Sequence, residues 1–258
     1  MKLLSIEKEP FYQIPYLTSG KGGKPDKALF PIYKAYVEKL PEGGKPFVVV
    51  SDLQGREDAK SNRLIGELVA DELSLLRELE EIPNVQLVAL CGDLYDYPDF
   101  RKRGGTGDVT SVWNAFAKEF EQVIGVHGNH DQVQEDMLSE NITILDGDEV
   151  TTNGIRFSGV SGIIGERERN QRKTEKTFLK LLKKSCDSAS EIILLHQGPN
   201  DLVNDQFGNE AINALLSKNG ESLIVFGHCH WTTPFVELGD NQLLNADGRA
   251  FIIQELTT

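Results

Sequence analysis

Apolar residues along this chain come in short runs that stop abruptly at polar groups. Phe47-Val48-Val49-Val50-Ser51, Val85-Gln86-Leu87-Val88-Ala89-Leu90-Cys91, Val123-Ile124-Gly125-Val126, Glu191-Ile192-Ile193-Leu194-Leu195 and Ser222-Leu223-Ile224-Val225-Phe226 are each about a strand long. Their Val, Ile and Leu content suits strands buried on both faces. Between the first two, Ser61 to Glu81 is apolar at Leu64, Ile65, Leu68, Val69, Leu75, Leu76 and Leu79, a helical period closed by Pro83-Asn84. Strand, helix, strand in that order implies a parallel pair with a right-handed crossover. Further helices are expected over about Val109–Glu119, within Glu166–Lys184 through Phe178, Leu179, Leu181 and Leu182, and over Asn209–Lys218, closed by Asn219-Gly220. Asn153-Gly154 signals a hairpin within residues 141–163. The tail alternates through Phe235–Leu238, Gln242–Leu244 and Ala250–Ile253, with turns at Gly239-Asp240 and Asp247-Gly248, and reads as an antiparallel meander. Residues 1–46 carry Gly and Pro throughout and are expected to form an N-terminal arm with one short helix near Leu29–Leu40, leaving 47–258 as the main domain.

Composition narrows the class. With 258 residues, 39% of them hydrophobic, and a mean hydropathy of −0.31, the chain can bury a sizeable core. No apolar run approaches the roughly 18 residues of a spanning helix. The segment from Met1 to Pro10 lacks the apolar centre of a secretory signal. Cys91, Cys186 and Cys229 are odd in number and without CxxC spacing. That argues against a disulfide framework or a thiolate zinc site, and a cytoplasmic location is expected. A net charge of −13 repels phosphate backbones and disfavours nucleic acid as a partner. It leaves room for a small phosphorylated substrate, because a metal site supplies local positive charge.

The polar groups that end the five strands carry the candidate chemistry. They are Asp52 with Gln54, Asp93 with Asp96, Asn129 with His130, His196, and His228 with His230. The chain has five histidines; four follow these strands directly, and the fifth, His127, ends its strand before Gly128. Strands of one sheet place their ends along a common edge, so these groups are expected to converge on one or two ions. Carboxylate, imidazole and amide oxygen without thiolate select hard or borderline divalent metals such as Mn, Fe, Mg or Zn. Two basic stretches stand apart. Arg101-Lys102-Arg103 lies in a Gly-rich loop that reads either as solvated surface or as a basic lid over a substrate phosphate, and Arg167, Arg169, Arg172 and Lys173 read as solvated or as a phosphate clamp.

Asp52-Leu53-Gln54, Gly92-Asp93, Gly128-Asn129-His130-Asp131, His196 and Gly227-His228-Cys229-His230 resemble, in order, the five motifs of the calcineurin-like metallophosphoesterases. The resemblance runs from about residue 47 to 255. It implies an α/β (α+β) fold, a four-layer αββα sandwich with mixed central sheets and a dinuclear metal site at the strand ends. Carried over, Asp52, Asp93 and His230 hold the first ion, with Gln54 at a position where most members have His. Asp93, Asn129, His196 and His228 hold the second, Asp93 being shared. His130 lies beside the ions and protonates the leaving oxygen, and Asp96 orients it. The implied activity is hydrolysis of a phosphomonoester or phosphodiester of a small molecule or nucleotide by a metal-bound hydroxide. The Asp-x-Gln variant resembles manganese-dependent nucleotide-diphosphate hydrolases, which makes Mn the first-choice metal. Two other readings stand beside this one: a non-catalytic interaction module on the same fold, and a nucleic-acid phosphodiesterase.

Overall fold

The runs rich in Val and Leu form strands whose two faces serve two different cores. The computed structural model describes residues 1–256. In β4 (Phe47–Ser51), Val48 and Val50 face a helical layer while Phe47 and Val49 face a second sheet, as the period of two along a strand requires. The same alternation recurs in β5 (Leu87–Leu90) and β6 (Gln122–Gly125).

The first sheet has eight strands. Besides β4–β6 it contains β1 (Leu3–Ile6), β2 (Tyr12–Ser19), β3 (Pro25–Val37), β7 (Ile142–Ile144) and β14 (Arg249–Glu255). Its order is β1-β3-β14-β4-β5-β6-β7, with β2 paired to β3. The second sheet has six strands in the order β8-β9-β10-β11-β13-β12. These are β8 (Glu149–Thr152), β9 (Ile155–Val160), β10 (Ile192–Gln197), β11 (Leu223–Gly227), β12 (Phe235–Leu238) and β13 (Asn241–Asn245). Helices α1 (Ile65–Glu78) and α2 (Thr110–Glu119) cover the outer face of the first sheet, burying Leu73, Trp113 and Phe116 on it. Helices α3 (Glu175–Asp187) and α4 (Glu210–Leu216) cover the second through Phe178, Leu182 and Ile212. Between the sheets lies a third core, where Phe47 and Phe157 meet edge to face with ring centroids 6.0 Å apart. The four layers run α, β, β, α, the fold class expected from the sequence.

Local signals explain most of the element ends. Asn209 caps α4, its side chain accepting from the Ile212 amide, and the Thr174 side chain accepts from Thr177 at the start of α3. The Asn153-Gly154 turn has both residues at positive φ, 53° and 70°, and joins the antiparallel pair β8–β9.

Three expectations are corrected. The segment near Leu29–Leu40 expected to be a helix is, up to Val37, the second half of strand β3, which buries Phe30, Ile32, Ala35 and Val37. Pro31 inside the segment would break a helix, and the aromatic and β-branched residues around it favour a strand. The tail is not one meander. β12 and β13 are antiparallel neighbours, but β14 crosses to the other sheet, antiparallel to β4 and parallel to β3. Finally, the five strands that end in polar groups do not share one sheet: β4, β5 and β6 belong to the first, β10 and β11 to the second. Strands buried on both faces read alike whichever sheet holds them. Their ends still meet, because the two sheets pack face to face with these ends at the same edge of the sandwich.

Candidate metal centre

The motif residues stand where the chain turns sharply at strand ends. Asp52, Asp93 and His228 have φ of 56°, 55° and 69°. This left-handed region is sparsely populated by residues with a side chain, though Asp and His enter it more readily than most. Each such residue costs on the order of 1–3 kcal/mol and persists where its surroundings hold it. Two glycines show how tight those surroundings are. A Cβ on Gly227 would lie 2.1 Å from Asp52 Oδ2, and one on Gly128 would lie 2.1 Å from the Asp93 amide nitrogen. Only a bare backbone lets these loops close on one another, across the two sheets at Gly227 and between neighbouring strands of the first sheet at Gly128. Gly128→Ala is therefore expected to cost ~1–3 kcal/mol by overpacking and to weaken metal binding by displacing Asp93. Thermal unfolding with metal analysis on the same samples checks both; an unchanged Tm with full metal content would count against this contact.

In the inner half of the site, one ligand atom from each of Asp93, His196 and His228 lies within 4.8 Å of the others. The His196 and His228 rings are 5.0 Å apart between centroids. His196 is fully buried, and its Nδ1 is 2.8 Å from the Cys91 carbonyl oxygen. That contact fixes the ring and turns Nε2 to within 3.3 Å of Asp93 Oδ1. Asn129 is buried in the neighbouring loop. His196 Nε2 and Asn129 Oδ1 are both buried without a hydrogen-bond partner. Leaving such atoms unpaired is costly. An imidazole nitrogen and an amide oxygen beside a carboxylate are donors a divalent cation would satisfy, so the residues fit the ion that the sequence implies.

The outer half is an open cavity of about 360 Å³ lined by Asp52, Gln54, Asp93, Arg103, His130, His228, His230 and Asp247. Asp52 Oδ2 accepts from Ser51 Oγ at 2.7 Å and from the His228 amide at 3.0 Å. Gln54 Nε2 donates to Asp93 Oδ2 at 3.1 Å. The His130 amide donates to Asp93 Oδ1 at 3.0 Å, and its Nε2 stands 3.9 Å from Asp93 Oδ2. His230 is exposed, with Nδ1 3.0 Å from Asp247 Oδ2. Asp96 does not line the cavity. Its Oδ1 accepts from the Tyr97 and Gly104 amides, and among the described residues no hydrogen bond joins it to His130. Asp96 Oδ2 and His130 Nδ1 are, however, both buried and unpartnered. A larger groove, about 640 Å³, lies at the amino ends of β10, β11 and β13 beside Glu38, Glu191 and Gln242; no histidine lines it.

Burial and charge set the protonation states. Burial pushes the Asp52 carboxyl well above its usual range, and the negative charge of Asp247 adds to this. Burial pulls His196 down, but Asp93 outweighs it and pushes His196 up to about 10. Burial acts to raise Asp93, yet His196 more than offsets it and holds that carboxyl below its usual range. His228, buried beside His196, is pushed down to about 4, so its lone pair is free at neutral pH. The charge of Asp93 thus favours a protonated His196, and a cation bound there would have to displace that proton.

Three supporting residues escaped the sequence reading. Asp131 is fully buried, and burial with the charge of Asp93 pushes it up to about 6. Its Oδ2 accepts from the Asp93 and Gly128 amides and its Oδ1 from Leu94, clamping two motif loops together. Asn170 Nδ2 donates to the carbonyl oxygens of Asn129 and Asp131. The segment read as solvated arginines or a phosphate clamp contributes an asparagine, and neither Arg167, Arg169 nor Arg172 lines the cavity, as the solvated reading has it. Of the 101–103 stretch, Arg103 reaches the cavity, while Arg101 pairs with Asp99. Asp247 comes from the turn between β13 and β14, which reads in sequence as an ordinary turn.

Comparison with known proteins adds the following. The model of a family described as calcineurin-like phosphoesterase matches residues 45–231. No curated protein matches the chain. Among solved structures, TT1561 of Thermus thermophilus superposes with a TM-score of 0.55 at 13% identity, covering 80% of this chain and 90% of that one. A dimetal phosphatase from Danio rerio gives a TM-score of 0.45 at 15% identity, with 78% and 86% covered. Purple acid phosphatase PPD1 from yellow lupin gives 0.43 at 16% identity, with 91% and 50% covered.

Proposed function

The chain belongs to the calcineurin-like phosphoesterase family, and from that premise we propose that it hydrolyses a phosphomonoester or phosphodiester of a small molecule or nucleotide at a site for two divalent ions, Mn before Fe, Mg or Zn. The family makes it a phosphoric ester hydrolase. What carries the finer reading is the inner cluster, where Asp93, His196 and His228 converge with two buried, unpartnered donor atoms beside them. When bound, ions at such a site polarise the phosphoryl group and lower the pKa of an attacking water.

The chain's own residues supply the rest. Asp93, Asn129, His196 and His228 hold the inner ion; Asp52, Asp93 and His230 hold the outer one, with Gln54 beside them. Arg103 faces the cavity from the opposite loop and binds a non-reacting oxygen of the anionic substrate. His130, whose side chain is 34% exposed at the cavity, protonates the leaving oxygen. Asp96 is assigned the orienting role toward His130 that the family resemblance implies; Asp96 Oδ2 and His130 Nδ1 are both buried and unpartnered. The free cysteines and the absence, among the described residues, of a helix long and apolar enough to cross a membrane agree with the cytoplasmic site of action we propose.

The direct test is turnover of p-nitrophenyl phosphate and bis(p-nitrophenyl) phosphate by metal-free protein reloaded with Mn. Metal-dependent release of p-nitrophenol from at least one is expected. Failure on both with each of the four metals, together with no bound metal, would remove this reading and favour a non-catalytic module.

A further inference from the structure

The two halves of the site are unequally furnished. The inner ion has four side chains to hold it, two of them imidazoles. The outer one has Asp52, the shared Asp93 and His230, and then only the amide of Gln54. That amide turns its nitrogen, not its oxygen, to Asp93 Oδ2, donating to it at 3.1 Å. In this arrangement Gln54 braces the shared carboxylate through its nitrogen.

We propose that Asp247 is a ligand of the outer ion and supplies the donor that Gln54 does not. The inference rests on the metal-dependent reading above. The crossing of β14 into the first sheet sets Arg249 opposite Ser51 and bridges Asp247 to Ser51, the residue before Asp52. The Gly248 amide donates to the Ser51 carbonyl oxygen at 3.2 Å and fixes the turn there. The Asp247 side chain is 13% exposed and lines the same cavity as Asp52. Two carboxylates held together out of water repel unless a proton or a cation stands between them. Arg249 does not fill that role for the side chain: its Nε donates to the Asp247 backbone oxygen, and its Nη2 lies at the His230 ring and the Trp231 carbonyl. Exchanging a neutral nitrogen donor for a carboxylate makes the outer site harder and more negative, which suits Mn or Mg over Zn.

A lesser role is open to Asp247: its Oδ2 is 3.0 Å from His230 Nδ1 and would orient that ring. The two roles separate by rescue. Mn(II) is titrated calorimetrically into metal-free wild type, Asp247→Asn, and the double variant Asp247→Asn with Gln54→His, and the metal retained after gel filtration is counted. Asn matches Asp in size and can still accept from Nδ1, and circular dichroism confirms that each variant is folded. The expected result is two ions in the wild type, and in Asp247→Asn one ion bound as before with the other weakened by ~10-fold or more, the loss seen when even a hydrogen-bonding partner of a ligand is removed. Gln54→His should restore the second ion, because an imidazole at 54 supplies the donor afresh, and the regained affinity should fall as pH drops. Two wild-type-like ions in Asp247→Asn would overturn the proposal. So would a loss that Gln54→His leaves uncorrected, which would mark Asp247 as a positioning residue for His230. A wild-type chain that takes up no Mn(II) would overturn the metal-dependent reading along with it.

Discussion

Replacing Asp93 by Asn is expected to abolish binding of both ions and to lower phosphoester turnover by ~10³-fold or more. Asp93 is the carboxylate common to both halves of the site: it lies in the inner cluster with His196 and His228 and, like His228, lines the outer cavity with Asp52 and Gln54. Losing the metals forfeits several kcal/mol of charge stabilisation, and each ~1.4 kcal/mol is worth a factor of ten. Asn is the informative replacement. It tolerates the φ of 55° at this position, and its Oδ1 can keep the hydrogen bond from the His130 amide, so the loop retains its shape. Ala would add backbone strain and blur the result. The exchange also frees His196. Without the carboxylate that contributes most to raising it, His196 moves down toward its neutral form, with Nε2 facing an uncharged amide. Metal content by mass spectrometry and kcat on an aryl phosphate measure the effect. Two ions retained with turnover within tenfold of wild type would show that Asp93 is not shared.

The residues at the heart of this argument are readable in the sequence because chemistry and backbone constraint coincide there. A strand buried on both faces admits few polar residues, so Asp52, Asp93, His196 and His228 stand out at the strand ends. Gly128 and Gly227 accompany them because a Cβ at either would collide with an aspartate of a neighbouring motif. The helix–strand order is readable for a related reason: α1 and α2 bury one stripe each, whereas the strands between them are apolar throughout.

What stays hidden depends on long-range pairing. Nothing in Phe251 or Ile253 says that β14 leaves the sheet of β13 and joins β4, since both sheets ask for the same residues. That crossing carries Asp247 to Asp52, which is why a turn residue enters the site unannounced. Likewise β3 passes for a helix because its apolar positions, Phe30, Ile32, Ala35 and Val37, shift phase midway and break the plain alternation of a strand. Asp131 and Asn170 act on backbone groups of other loops, and such contacts leave no periodic trace in a sequence.

His130→Ala should separate catalysis from metal binding. Its side chain reaches the cavity without joining the inner cluster, and its hold on Asp93 is through the backbone amide, which alanine keeps. Both ions should therefore remain at wild-type affinity while kcat falls by ~10²–10⁴-fold, the usual worth of a positioned proton donor. The size of the fall should depend on the leaving group. p-Nitrophenolate departs without a proton, so its ester should lose least; an alkyl phosphate, whose alkoxide must be protonated as it leaves, should lose most. Asp96→Asn provides the companion measurement. If its buried, unpartnered Oδ2 orients His130, that variant should show the same leaving-group trend in weaker form, with metal content unchanged. An equal loss on aryl and alkyl esters in His130→Ala would instead mean that the histidine binds the phosphoryl group and transfers no proton.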